Sequence, residues 1–206
     1  LGQDGNIKVD TDWFDNVITV AALDAWCQTT AMNNLSGFCG VGTGTATPAS
    51  SDVGITGQIG SRAARFSNGN NVVGLVNTVT QQYNFPVSGV IGTISEVGIF
   101  SASTGGILLS RTLIKAAGTP TTITLVSGDT LYVIWRCTMT APADVTGTTT
   151  IGGVSYNYTL RPSKFTTSTT SAHGLWAGSV GINSSGSNAF NLHTCAACST
   201  QTLGAV

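Results

Sequence analysis

Between Thr93 and Met139, short apolar runs are cut at intervals by Gly, Ser, Asp and Pro. β-branched and aromatic residues dominate the runs, so the segment predicts four strands: Thr93 to Phe100, Ile107 to Ile114, Thr121 to Val126 and Leu131 to Met139. Ser101 to Gly106, Gly118-Thr119-Pro120 and Ser127-Gly128-Asp129 supply the turns, and the block reads as hairpin-linked. The last run has the cleanest period of two. Leu131, Val133, Trp135, Cys137 and Met139 fall on a side suited to a core, and Tyr132, Ile134, Arg136 and Thr138 fall on the other.

The pattern before this block is mixed. Phe14, Val17, Ile18, Ala21, Ala22 and Ala25 recur at helical spacing, with Asp10, Thr11 or Asp12 as a cap, and predict one long helix from about Asp12 to about Thr29. The competing reading is a strand at Val17 to Ala21, since Val-Ile-Thr-Val favours extended backbone. Gly37 to Gly44 reads as a strand with bulges or close backbone approach, then a loop through Pro48 and Asp52. It lacks the Gly-Lys-Ser/Thr ending and the following helix of a phosphate loop. Ile59 to Phe66 predicts a strand, Ser67-Asn68-Gly69-Asn70 a hairpin turn, and Val72 to Phe85 a long strand bent at Gly74. Thr148 to Ile151 and Val154 to Leu160 predict a hairpin across Gly152-Gly153, with Tyr156 and Tyr158 on the face of Val154 and Leu160. From Pro162 the composition turns to Ser, Thr and Gly with little periodicity.

The fold this predicts is all-β, an antiparallel β-sandwich of jelly-roll type with one N-terminal helix. Its divisions are an N-terminal arm and helix over residues 1–36, a β-sandwich core over 37–161 and a Ser/Thr/Gly-rich C-terminal extension over 162–206.

Composition changes the picture in one respect. Only 8% of the 206 residues are charged, with a formal net charge of −1, yet 41% are hydrophobic. Soluble chains usually carry roughly 25% charged residues. A chain without a basic face is not expected to bind nucleic acid or an anionic membrane surface. No run nears the roughly 20 apolar residues that span a bilayer, and no basic, apolar and small-residue series marks a signal peptide. The first residue, Leu1, is consistent with a native N-terminus that is missing or processed. A near-neutral, slightly apolar chain is poorly protected against association, so much of its surface is expected to be covered by other subunits.

Candidate chemistry is sparse. Cys195 and Cys198 form a CxxC with His193 just before it, the spacing of a partial zinc site. A fourth ligand would come from Cys27, Cys39, Cys137 or His173. A single CxxC without a second pair, and without a βαβ setting for redox work, reads as free or loosely packed thiols. Cys137 is expected to act as a small core hydrophobe. His173 sits in the Ser/Thr-rich tail with no nucleophile elbow anywhere in the chain, and the nine acidic residues do not cluster. No catalytic, cofactor-binding or metal-binding residue is assigned, and the chain is not expected to be an enzyme. Glu96 shares a strand face with Ile94 and Phe100, where a charge is costly to bury. Either it pairs across strands with Arg111 and fixes the register, or it faces solvent at a sheet edge.

Three segments carry a resemblance. Trp13-Phe14-Asp15-Asn16-Val17-Ile18-Thr19 with Ala22-Leu23-Asp24 resembles the opening of a group of tailed-bacteriophage virion proteins. Phe38-Cys39-Gly40-Val41-Gly42-Thr43-Gly44, followed by Pro48 and Asp52, resembles their glycine-rich second segment. Thr93 to Phe100, Leu108-Leu109-Ser110-Arg111 and Ser127-Gly128-Asp129-Thr130-Leu131 with Trp135 resemble their β block. The resemblance covers roughly residues 13–140. It implies a non-enzymatic structural protein of a phage particle, in the tail, fibre or neck, or decorating the head. The implied partners are copies of itself and other virion proteins, with Trp13, Trp176, Tyr156 and Tyr158 as candidate contacts that can equally serve a core. A capsid cement protein, a module gripping host-surface glycans and, third, an enzyme are the rival readings.

Overall fold

The computed structural model describes residues 1–160 apart from residues 3, 29–31, 75 and 141–142. After an extended arm, the chain forms β1 (Val17–Ile18), α1 (Val20–Gln28), α2 (Met32–Leu35), β2 (Phe38–Gly42), β3 (Ile59–Val73), β4 (Val76–Asn84), β5 (Gly92–Ile94), β6 (Glu96–Phe100), β7 (Leu108–Leu113), β8 (Lys115–Ala116), β9 (Thr119–Pro120), β10 (Ile123–Leu125), β11 (Tyr132–Thr140), β12 (Val145–Ile151) and β13 (Val154–Leu160). Seven strands make one antiparallel sheet in the order β1-β7-β6-β2-β3-β4-β11. The fold is all-β and sandwich-like, as the alternation predicts.

β3 makes the sheet curl. Its first half pairs with β2, and its second half, from Arg65 onward, pairs with β4. The register shifts between Arg65 and Ser67 at the handover, and such a bulge bends and twists the strand that carries it. The two halves enclose a single core. Cys39, Val41, Ile99 and Leu109 come from one half, Val79, Tyr83 and Trp135 from the other, and Ala22, Met32 and Leu35 from the helices. β4 shows the period of two that this demands: Asn77, Val79, Gln81 and Tyr83 are buried, and the residues between them are half-exposed. On β11 the predicted core side faces inward, with Trp135 buried and Cys137 and Met139 packed against the core.

The helix predicted over Asp12 to Thr29 is shorter and starts later. Val17 and Ile18 pair with Arg111 and Ser110 of β7, so the β-prone reading holds for these two residues. Thr19 then caps α1: its Oγ1 accepts from Ala22 N at 3.3 Å and donates to the Leu108 carbonyl. The proposed caps at Asp10, Thr11 and Asp12 lie outside any helix, and α2 adds a second short one.

Asn68-Gly69 is not a turn. β3 runs straight through it, and the reversal comes at Gly74, whose φ is 60°. Val72 to Phe85 is therefore not one bent strand: Val72 and Val73 end β3 and pair back onto Asn77 and Val76. The run from Thr93 to Phe100 is also divided. At Ser95 the chain leaves one sheet for another, since β5 pairs with β10 while β6 pairs with β2 and β7. Only β6 and β7 form the expected hairpin of that block; β11 pairs with β4 instead of β10.

Candidate interaction surface

One face of β2, β6 and β7 carries a buried ionic clasp. The register sets Gly42 opposite Glu96, Gly40 opposite Gly98, and Gly98 opposite Arg111. Period-two alternation thus brings Glu96 and Arg111 onto one face, diagonally across adjacent strands. Arg111 Nε donates to Glu96 Oε2 at 2.5 Å, and both side chains are buried, at 4% and 0% exposure. The cross-strand pairing is correct; Glu96 does not face solvent.

The sequence does not reveal the third member. Arg111 Nη1 donates to Asp52 Oδ2 at 2.8 Å, and Nη2 donates to the Ala46 carbonyl at 2.9 Å. Glu96 Oε1 accepts from the backbone of Gly44 at 3.0 Å and of Thr56 at 2.5 Å. Every one of these partners lies on the loop 43–58 between β2 and β3. Ser95 adds one bond to the loop, from its Oγ to the Gly44 carbonyl, and one just before it, from its N to the Gly42 carbonyl at the end of β2. The loop is therefore strapped flat over the sheet, with Ile55 against the bare backbones of Gly40 and Gly98. The expectation of close backbone approach in the Gly37 to Gly44 stretch is met here.

A second polar network secures α2. Arg65 Nη1 donates to the Asn33 carbonyl and side chain, and the Tyr83 hydroxyl donates to the Ser36 carbonyl at 2.7 Å. Lys8 pairs with Asp129 at 2.9 Å, and Leu1 exchanges backbone hydrogen bonds with Thr130, so the N-terminal arm is stitched to the turn before β11.

These networks set the response to acid. Asp52 is held below its ordinary pKa of 3.8 by the Ala49 backbone N–H and then by Arg111. Asp129 is held down by the Val126 backbone N–H and then by Lys8. A lowered carboxylate contributes stability that is complete above its unfolded pKa and is lost as pH falls through the folded one. Urea midpoints should therefore hold steady at mildly acidic pH and fall below about pH 4. Asp52→Asn should flatten part of that acid limb; an unchanged limb would show that Asp52 is not a contributor.

Little on the described residues resembles a reaction centre. A cleft of about 130 Å³ is lined by Thr45, Ser95, Leu113, Pro120, Thr121 and Thr122, small beside the roughly 300 Å³ at the low end of ligand pockets. None of its lining side chains is ionisable. Among the described residues no three His, Cys, Asp or Glu side chains come together as metal ligands. Burial pushes the Cys39 thiol well up and that of Cys137 up to about 11, so both are poor nucleophiles at neutral pH. His173, His193, Cys195, Cys198 and Trp176 lie outside the described residues. Among those residues no helix is long and apolar enough to cross a membrane.

What the surface does show is apolar. Val53, at the outside of the strapped loop, is 87% exposed, and Phe66, at the β3 bulge, is 70% exposed. Val73, Val87, Ile91 and Ile134 are exposed as well. Of the candidate aromatic contacts, Trp13 and Tyr158 stand in solvent, and Tyr156 is half-buried. Trp13 is steadied by the Arg136 guanidinium, 3.9 Å from its ring centre. No protein-family model, curated protein or solved structure matches this chain.

Proposed function

We propose that the chain is a structural subunit of a bacteriophage particle, in its tail, fibre or neck, working by contacts with copies of itself and with neighbouring virion proteins. The phage particle is what the resemblance over residues 13–140 implies; the observation that supports a role by contact is the pairing of large exposed apolar side chains, led by Val53 and Phe66, with a chain only 8% charged. Scattered exposed apolar residues are ordinary on a soluble protein, but a charged surface normally surrounds them. Here Gly, Ser and Thr stand along the chain where charges are usual, and they neither repel a neighbour nor select one by charge. Rigid strapping of the 43–58 loop supports the same role, because a contact surface that is already ordered loses little entropy on docking.

Mass spectrometry of purified particles, with immunogold labelling, tests this. The expected result is the chain present in fixed multiples and label confined to the tail. Label over the whole head would make it a decoration protein instead. Absence from particles would overturn the reading.

A further inference from the structure

The N-terminal arm joins the two ends of the seven-stranded sheet. Read back from β1, at one end, it reaches the turn before β11, the strand at the other end. Its first eight residues fold into a hook. Gly5, at a φ of 77°, donates from N to the Gly2 carbonyl at 3.0 Å, and Gly2 N donates to the Asn6 carbonyl at 2.8 Å. The stem of Lys8 lies against Gly2, where a β-carbon would sit 3.2 Å from Lys8 Cγ and Cδ. The hook is fastened at two neighbouring residues. Lys8 Nζ donates to both oxygens of Asp129, at 2.9 and 3.0 Å. Leu1 N donates to the Thr130 carbonyl at 2.6 Å, and Thr130 N donates to the Leu1 carbonyl at 3.0 Å. Thr130 makes these bonds on the side away from β4, since the next residue, Leu131, turns its carbonyl to Phe85 N just past the end of that strand.

The tether from Val9 to Phe14 is held differently. It has no regular secondary structure and, among the described residues, no hydrogen-bond partner. Trp13 rests on the Arg136 guanidinium. Ile7, Val9 and Trp13 are all more than half exposed, so apolar burial does little to hold the arm. The fold proper begins at Asp15, whose carbonyl accepts from the Thr112 hydroxyl at 2.7 Å.

We infer that the arm is a latch: it opens as a unit while the sheet stays folded, and opening uncovers the Asp129 carboxylate and the Thr130 backbone at the head of β11. Segments with few buried apolar contacts open at a small part of the global free energy. Thr130, Asp129 and Arg136 hold the arm by point contacts, whereas β11 is held by a nine-residue ladder to β4. Asp129 keeps its bond from Val126 N, at 3.0 Å, when Lys8 leaves, so the turn does not come apart with the latch. The inference goes beyond the particle reading and does not rest on it.

Limited trypsin digestion of the full chain tests this, because Lys8 is both a cleavage site and part of the fastening. Its ammonium is held by Asp129, and the protease takes it only when the hook is off. Cleavage then tracks the open population. Mass spectrometry separates cuts after Lys8 from cuts after the buried Arg111. In rising urea below the unfolding transition, cleavage after Lys8 should change little and cleavage after Arg111 should rise steeply, since urea dependence scales with the surface that opening exposes. Asp129→Asn should speed cleavage after Lys8 by about tenfold, through loss of the charge-assisted bonds. Arg136→Gln, at an exposed position of β11, should speed it about threefold and leave cleavage after Arg111 unchanged, which a general loss of stability would not. Equal urea dependence at the two sites overturns the latch, because the arm then opens only with the whole fold. A rate after Lys8 that neither variant moves overturns it as well, because these contacts then do not hold the arm.

Discussion

Arg111→Ala should lower the unfolding free energy by about 3–5 kcal/mol, the loss expected when one partner of a buried ion pair is removed. The reason lies less in the attraction than in what is left behind. Glu96 is fully buried, and with Arg111 gone its Oε2 has no donor. Asp52 and the Ala46 carbonyl lose their guanidinium bonds in the same step. Urea unfolding at pH 7 reads the effect. The double variant Glu96→Gln/Arg111→Ala should cost less than the sum of its parts, with a coupling on the order of 1–3 kcal/mol. Additive losses, or an Arg111→Ala cost below about 1 kcal/mol, would mean that the clasp is incidental. Arg111→Met should recover part of the lost packing volume without recovering the coupling, which separates the ionic contribution from the cavity.

The loop should respond as well as the global stability. Arg111 and Glu96 hold residues 44, 46, 52 and 56 against the sheet. Without them the loop keeps only its remaining bonds, from Ser95 Oγ to the Gly44 carbonyl, from Thr43 N to the Thr56 carbonyl and from Val20 N to the Ser50 carbonyl, and Val53 is held less firmly. The buried charges thereby link the core of the sheet to the outer surface, and the price in stability is one reason such a pair survives where an apolar pair would be simpler.

How far the sequence reveals this depends on the range of each interaction. Glu96 and Arg111 are legible because a hairpin with period two places them on one face, and both positions sit within one strand–turn–strand unit. Asp52 is not legible. It reaches Arg111 from 59 residues away in the chain, through a loop with no periodicity of its own. The misplaced turn has a different cause. Asn68-Gly69 and Gly74 both suit a reversal, and local propensity cannot choose between them. The choice is made by pairing: a reversal at Gly74 keeps a ladder from Arg65 to Val73 against β4, and β4 in turn carries the buried row of Asn77, Val79, Gln81 and Tyr83. The N-terminal segment is a similar contest. Helical spacing of the alanines is real, but Val17 and Ile18 gain more from the edge of β7 than from a helix, and Thr19 converts the strand to α1. The Gly152-Gly153 hairpin is legible because its turn and the face carrying Tyr156 and Tyr158 are local, although β12 begins at Val145 and not at Thr148.

Gly44→Ala should be nearly as damaging as loss of the arginine, at about 3 kcal/mol, the upper range for overpacking a site that cannot relax. A β-carbon at Gly44 would lie 2.3 Å from Glu96 Oε1 and 2.6 Å from its Cδ. That carboxylate is pinned on its other oxygen by Arg111 and on the same oxygen by Thr56 N, so it cannot swing away. The added methyl must push the loop off the sheet or push a charge out of its bonds. Gly44 is not at positive φ, so backbone strain plays no part and the cost is purely one of space. Gly54→Ala is the matched control. It lies on the same loop with nothing within 4 Å of a new β-carbon, and should change stability by no more than about 0.5 kcal/mol. If the clasp is what rejects the methyl, Gly44→Ala should cost clearly less in a Glu96→Ala background, where the obstructing carboxylate is gone. An equal cost in both backgrounds would place the clash elsewhere and remove Glu96 as the reason for glycine at this position.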